Sequence, residues 1–165
     1  MDGAEEALES LLEHARSMVR FVEEFSGIEV TREKLNRVIH SALLAMAHEL
    51  SRIALEEVYR EVDLLRDMDR GMARCIEEVG ARLLEAYVAS SLGIPALSLE
   101  EYSYELNLLP ELRGRITPRI LGKLYTALEA AARERRLYDF IAGELREECR
   151  RIAARGRPRL SGLSG

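Results

Sequence analysis

His14, His40 and His48 are the three imidazoles of the chain. With glutamates on every side, they are the first place to look for a metal or an acid–base site. A carboxylate-bridged pair of metals in a helical bundle needs Glu three residues before His, so that both project from one turn. The residues at that spacing are Leu11, Arg37 and Ala45, so all three histidines fail the requirement. A His-Glu-x-x-His zinc helix is missing too, because Arg52 stands four residues after His48. Cys75 and Cys149 are too far apart in sequence for a Cys-x-x-Cys site. No metal or cofactor is expected. Neighbouring carboxylates such as Glu56-Glu57 and Glu77-Glu78 point about 100° apart on a helix and share no site. They read as solvated faces paired with arginines one turn away. Glycine-rich phosphate loops and the Gly-x-Ser-x-Gly elbow do not occur. No catalytic residue is assigned, and the balance is against an enzyme.

One histidine has a suggestive context. Ala47-His48-Glu49-Leu50-Ser51-Arg52 resembles the His-Glu-Leu-Arg box of sensor histidine kinases and the helix of histidine-phosphotransfer bundles. The resemblance implies a phosphoryl-accepting His48, and a small helical enzyme using His48 with carboxylates from other helices is a related alternative. The Thr-Pro-Leu that follows in the kinases is Ile53-Ala54-Leu55 here, and the Lys-Gly of phosphotransfer domains is Ser51-Arg52. The plainer reading is a neutral imidazole at the edge of an apolar helix stripe.

The basic side chains offer different chemistry. From Arg113 to Arg159 there are 13 Lys and Arg against 6 Asp and Glu, a net of +7, while the residues before Arg113 hold 11 against 23, a net of −12. Arg146, Arg150, Arg151 and Arg155 form a ridge at helical spacing, Arg157 and Arg159 extend it, and Arg113, Arg115 and Arg119 surround the start of a helix at Thr117. Planar guanidinium groups suit phosphate or carboxylate oxygens. These nine arginines are therefore candidate contacts for nucleic acid or for an acidic protein partner. Glu144, Glu147 and Glu148 interrupt the ridge, and only Tyr138 and Phe140 are near enough to stack on bases. Pairing of the arginines with the acidic first two helices is the simpler expectation.

These side chains must be positioned by helices, because periodicity of three and four runs through the whole chain. A first helix is predicted from about Ala4 to Phe25, ended by Ser26-Gly27. A second, capped by Thr31, carries one stripe from Leu35 to Leu65 and is predicted to run unbroken to about Arg66. Asp67 and Asp69 are candidate caps for a third that Gly93 and Pro95 stop. Ser98 with Glu101 forms a capping box for a short helix over 99–108. Thr117-Pro118 starts a last helix. Its positions Leu121, Leu124, Leu128, Tyr138, Leu145 and Ile152 lie on one heptad-like stripe, which predicts a long coiled-coil-like C-terminal helix and a candidate oligomerisation surface. Each cysteine falls in an apolar stripe and is expected as a buried free thiol, with a single bridge between them as the lesser alternative if the source is hyperthermophilic.

The expected architecture is all-α: a bundle of four main long helices with a short extra helix, forming one domain over 1–156, and a disordered basic tail over 157–165. With 22 arginines to two lysines, no glutamine and two asparagines, the composition fits a thermophilic origin. The acidic N-terminus lacks a signal-peptide pattern, and no apolar run approaches a membrane span. The expectation is a cytoplasmic protein with no membrane association.

The segment Leu55-Glu56-Glu57-Val58-Tyr59-Arg60-Glu61-Val62-Asp63 resembles the start of the long helix in the helical domain of GINS replication subunits. Ile116-Thr117-Pro118 followed by a helix is similar to a later segment of theirs. Their break before the tyrosine is missing, because the stripe here continues upstream to Leu35, and residues 81–91 hold only Arg82 in place of a basic ridge. The chain is not assigned to that family. The functional expectation is a non-enzymatic helical subunit of a multi-protein or nucleoprotein assembly that docks or self-associates through its C-terminal helix. Direct nucleic-acid binding by the arginine ridge is the alternative.

Overall fold

A hydrophobic period of three and four residues buries one side of a helix, so burial of the stripes decides how the elements meet. The computed structural model describes residues 2–62 and 68–155 and is all-helical over them, with no strand among those residues. The six helices among the described residues are α1 (Asp2–Ser26), α2 (Arg32–Val62), α3 (Arg70–Ser91), α4 (Leu99–Asn107), α5 (Pro118–Arg133) and α6. The last of these comprises Leu137–Phe140, a π-helical turn at Ile141–Leu145, and Arg146–Arg155. The chain divides into two units, Met1–Ser41 and Ala42–Gly165.

Helix starts follow the side chains that satisfy free backbone N–H groups. Asp69 accepts from Met72 N–H at 2.8 Å, Ser98 from Glu101 N–H at 3.2 Å and Thr117 from Ile120 N–H at 3.2 Å. Asp67, the other candidate cap, lies outside the described residues, as does the stretch of α2 predicted beyond residue 62.

The expected continuous C-terminal helix is corrected here. The segment breaks after Arg133, and Arg135 adopts φ 54°. Arg136 N–H donates to Ala131 O at 2.8 Å and Arg135 N–H to Ala132 O at 3.1 Å, the paired bonds of a Schellman ending. The same ending closes α3, where Gly93 takes the left-handed position at φ 68° and Ile94 N–H donates to Ala89 O at 2.8 Å. Glycine announces such an ending in a sequence. Arginine does not.

The break lets α5 and α6 fold back on one another. The core of the second unit takes Leu55 and Tyr59 from α2, Ile76, Val79 and Leu83 from α3, and Tyr102 and Leu106 from α4. Leu121, Leu124 and Leu128 of α5, with Phe140, Ile141, Leu145 and Ile152 of α6, complete it. Five members of the stripe assigned to oligomerisation (Leu121, Leu124, Leu128, Leu145 and Ile152) are therefore inside the chain's own core, and only Tyr138 is exposed. Gly80 makes the close approach of α2 and α6 to α3 feasible, since a Cβ there would stand 3.2 Å from both Leu55 Cδ1 and Leu145 Cδ2.

A second correction concerns the cysteines. Cys75 on α3 and Cys149 on α6 are not free thiols but a disulfide, with Cα atoms 5.7 Å apart. Once α6 folds against α3, its buried stripe brings Cys149 within the ordinary Cα separation for a bridge. Reading each stripe alone gave no sign of that.

Candidate functional site

His48, the histidine singled out in the sequence, lies on α2 with its side chain 14% exposed, and its Nδ1 is 3.1 Å from Glu85 Oε1 of α3. The contact is out of line for a hydrogen bond. Glu85 is 2% exposed, a carboxylate that must be compensated to be buried at all. Tyr102 of α4 donates its hydroxyl to Glu85 Oε2, and Arg82 Nη1 donates to Oε1 at 3.3 Å. Arg82 Nη2 also lies 3.1 Å from Glu105 Oε2. Burial, then the hydrogen bond to Glu85, hold the Tyr102 hydroxyl well above the usual tyrosine range, so it stays a donor. This cluster ties α2, α3 and α4 together. It places an imidazole beside a carboxylate without the aligned hydrogen bond that acid–base chemistry uses, and the groove described below does not include His48.

The other histidines stand apart. His14 on α1 bonds the Ser10 carbonyl at 2.6 Å, and His40 is exposed on α2. Among the described residues no three His, Cys, Asp or Glu side chains converge as metal ligands would.

Two of the ridge arginines, Arg150 and Arg151, are paired, and so is Arg136 before them, though not with the partners expected. Arg150 bonds Glu147; Arg151 Nη1 lies 3.1 Å from Glu148 Oε2 and its Nη2 3.8 Å from Glu147 Oε1; Arg136 contacts Glu134 and Asp139. All these carboxylates are neighbours in the C-terminal segment, not residues of the acidic first two helices. Arg146 and Arg113 are exposed, and Arg115 Nη1 donates to the Glu111 carbonyl at 3.2 Å. Arg157, Arg159 and the tail over 157–165 lie outside the described residues.

The fold does bring part of the two clusters together. Arg119 and Lys123 of α5 and Arg151 and Arg155 of α6 line one open groove of 640 Å3, with Thr117, Ile120 and Glu148. Glu148 is 5% exposed, and its Oε2 holds both Lys123 Nζ at 3.4 Å and Arg151 Nη1 at 3.1 Å. Arg119 and Arg155 have no acidic partner among the described residues. Lys123 was missed from sequence because it is one of two lysines, isolated from both arginine clusters. Only the antiparallel return of α6 beside α5 joins them.

The first unit presents an apolar surface that the sequence reading placed inside a bundle. Along α1, Leu8, Leu11, Met18, Val22 and Phe25 share one face at steps of three, seven, four and three, with the small Ala15 between Leu11 and Met18, flanked by Leu12 and Phe21. Their exposures run from 47% to 82%. None belongs to the core cluster. Phe21 and Phe25 stack on each other with ring centroids 5.9 Å apart. Val38 and Ile39 at the start of α2 are also exposed.

No helix among the described residues is long and apolar enough to cross a membrane. Compared with protein-family models, with curated proteins and with solved structures, the chain matches none.

Proposed function

We propose that this chain is a non-enzymatic interaction subunit that assembles through α1, and that the first occupant of the α1 face is a second copy of the chain. One observation carries the reading: a 25-residue helix displays a continuous stripe of large apolar side chains to solvent. Scattered exposed apolar residues need no explanation, but a contiguous helical stripe is an association surface. An isolated helix of this kind draws most of its stability from covering that stripe.

Area and pattern favour a second copy. Seven large apolar side chains, each about half or more exposed, make a patch of the several-hundred-Å2 order that marks an association site. The stripe is also self-complementary about its midpoint. An antiparallel pair sets Leu8 against Phe25, Leu11 against Val22 and Ala15 against Met18, which are a-to-d matches of a heptad. Seven acids against two arginines leave α1 at a net of −5. In that antiparallel register Glu13 lies opposite Arg20 and Glu9 opposite Glu24, so one favourable charge pair offsets one unfavourable one and the apolar match sets the pairing. A lipid surface is disfavoured, because helices that lie on membranes carry a basic polar face.

The test is the mass of the full chain in solution by light scattering. A dimer or larger species at micromolar concentration supports the reading, together with conversion to a monomer by Leu11→Glu with Phe21→Glu. Those positions lie outside the core, so the monomer should keep the cooperative melting of the second unit's core while losing the stability that pairing lends to α1. A wild-type chain that is monomeric throughout, or variants that remain associated, would overturn the second-copy assignment.

A further inference from the structure

We propose that the groove between the first turns of α5 and the last turns of α6 binds the phosphate backbone of a nucleic acid. The observation is independent of α1. Two cations, Lys123 and Arg151, are fixed by a single buried carboxylate oxygen of Glu148. That leaves most of their N–H donors unused, since a guanidinium carries five and an ammonium three. Arg119 and Arg155 flank them, and neither is neutralised by an acid among the described residues. The charge is therefore partly pre-organised: Glu148 sits below the surface as an anchor, and four cationic side chains face the open side. Glu147 and Glu144 are the nearest other acids along α6; the first is engaged with Arg150 and Arg151.

Backbone polarity points the same way. The first turn of α5 contains no acidic residue, whereas that of α4 carries Glu100 and Glu101. The partial positive charge of a helix start is thus left uncompensated at the groove. Arg155 in the last turn of α6 is also favoured by the dipole of its own helix, which explains its presence but supplies no counter-anion.

The groove's lack of apolar anchors decides between a polyanionic nucleic acid and an acidic protein. Protein interfaces gain most of their energy from large side chains buried at the centre. Among the described residues, Ile120 is the one large apolar side chain in the lining, and it is half-buried. Phosphodiester binding needs no such anchor, because it is driven by charge neutralisation and counterion release. The expected recognition is of the backbone and not of sequence, as no aromatic side chain among the described residues lines the groove.

The experiment is fluorescence anisotropy of a labelled mixed-sequence oligonucleotide with the full-length chain across a salt series. The expected result is binding at low salt that weakens steeply as salt rises. Arg119→Ala with Arg155→Ala should lower affinity about tenfold or more at low salt and reduce the log–log salt slope by about two. Both residues are exposed, so helicity and melting should not change. Arg133→Ala, an exposed arginine outside the groove, should leave binding as it was. Absence of binding at low salt, or binding that the paired variant does not weaken, would overturn the proposal. So would equal competition by polyglutamate, which would identify an acidic protein as the occupant.

Discussion

Asn107 shows how much a single side chain holds in this fold. Its Oδ1 accepts from Arg115 N–H at 3.1 Å and Ile116 N–H at 3.0 Å, and its Nδ2 donates to Ile116 O at 2.7 Å. Ser103 Oγ donates to the same carbonyl at 2.7 Å. Together they fix the loop that delivers the chain to the start of α5. Asn107→Ala would leave the Ile116 N–H unpaired, while Arg115 N–H keeps its bond to Leu112 O at 3.0 Å, and a loss of about 1–3 kcal/mol is expected in chemical denaturation; a loss near zero would mean that water replaces the amide. The residue is legible in sequence as one of only two asparagines, but its partners are not, because they lie eight and nine positions downstream across a turn. His48 is similar. Its place at a stripe edge was readable, whereas its contact with Glu85 depends on how α2 meets α3.

At the scale of elements, capping chemistry was readable and one helix ending was not. Asp69, Ser98 and Thr117 each cap the helix their sequence context predicts, because a short polar side chain before an apolar period has few other uses. Arg135 hid the break between α5 and α6. A branched-at-Cβ or glycine signal was absent, and the apolar period continued through the break, so one long helix and one exposed stripe were the natural reading. A left-handed arginine costs more than a glycine in the same conformation. Arg135→Gly should therefore stabilise the chain by ~1 kcal/mol, seen as a rise in melting temperature of about 2–4 °C. An unchanged or lower value would show that the Arg135 side chain makes compensating contacts. The same break converts the predicted outer stripe into core, while the apolar face that stays exposed is on α1.

At the scale of the molecule, the charge asymmetry separates two kinds of association with opposite responses to salt. Pairing of α1 brings together helices of net −5, so screening should strengthen it, while the α5–α6 groove should lose its ligand as salt rises. Measuring both on one preparation therefore tests the two surfaces against each other. The split into an acidic body and a basic last third was plain in the sequence. Its resolution into a groove was not, because Arg119 and Arg155 meet only after α6 turns back along α5. That return has another outcome. The bridge between Cys75 and Cys149 closes a covalent ring through α3, α4, α5 and α6. A protease nick inside the ring, at the exposed 134–136 turn for example, severs the chain without separating its pieces. Such a product should run as one species on a non-reducing gel and as two after reduction, so the ring would keep a cut molecule whole.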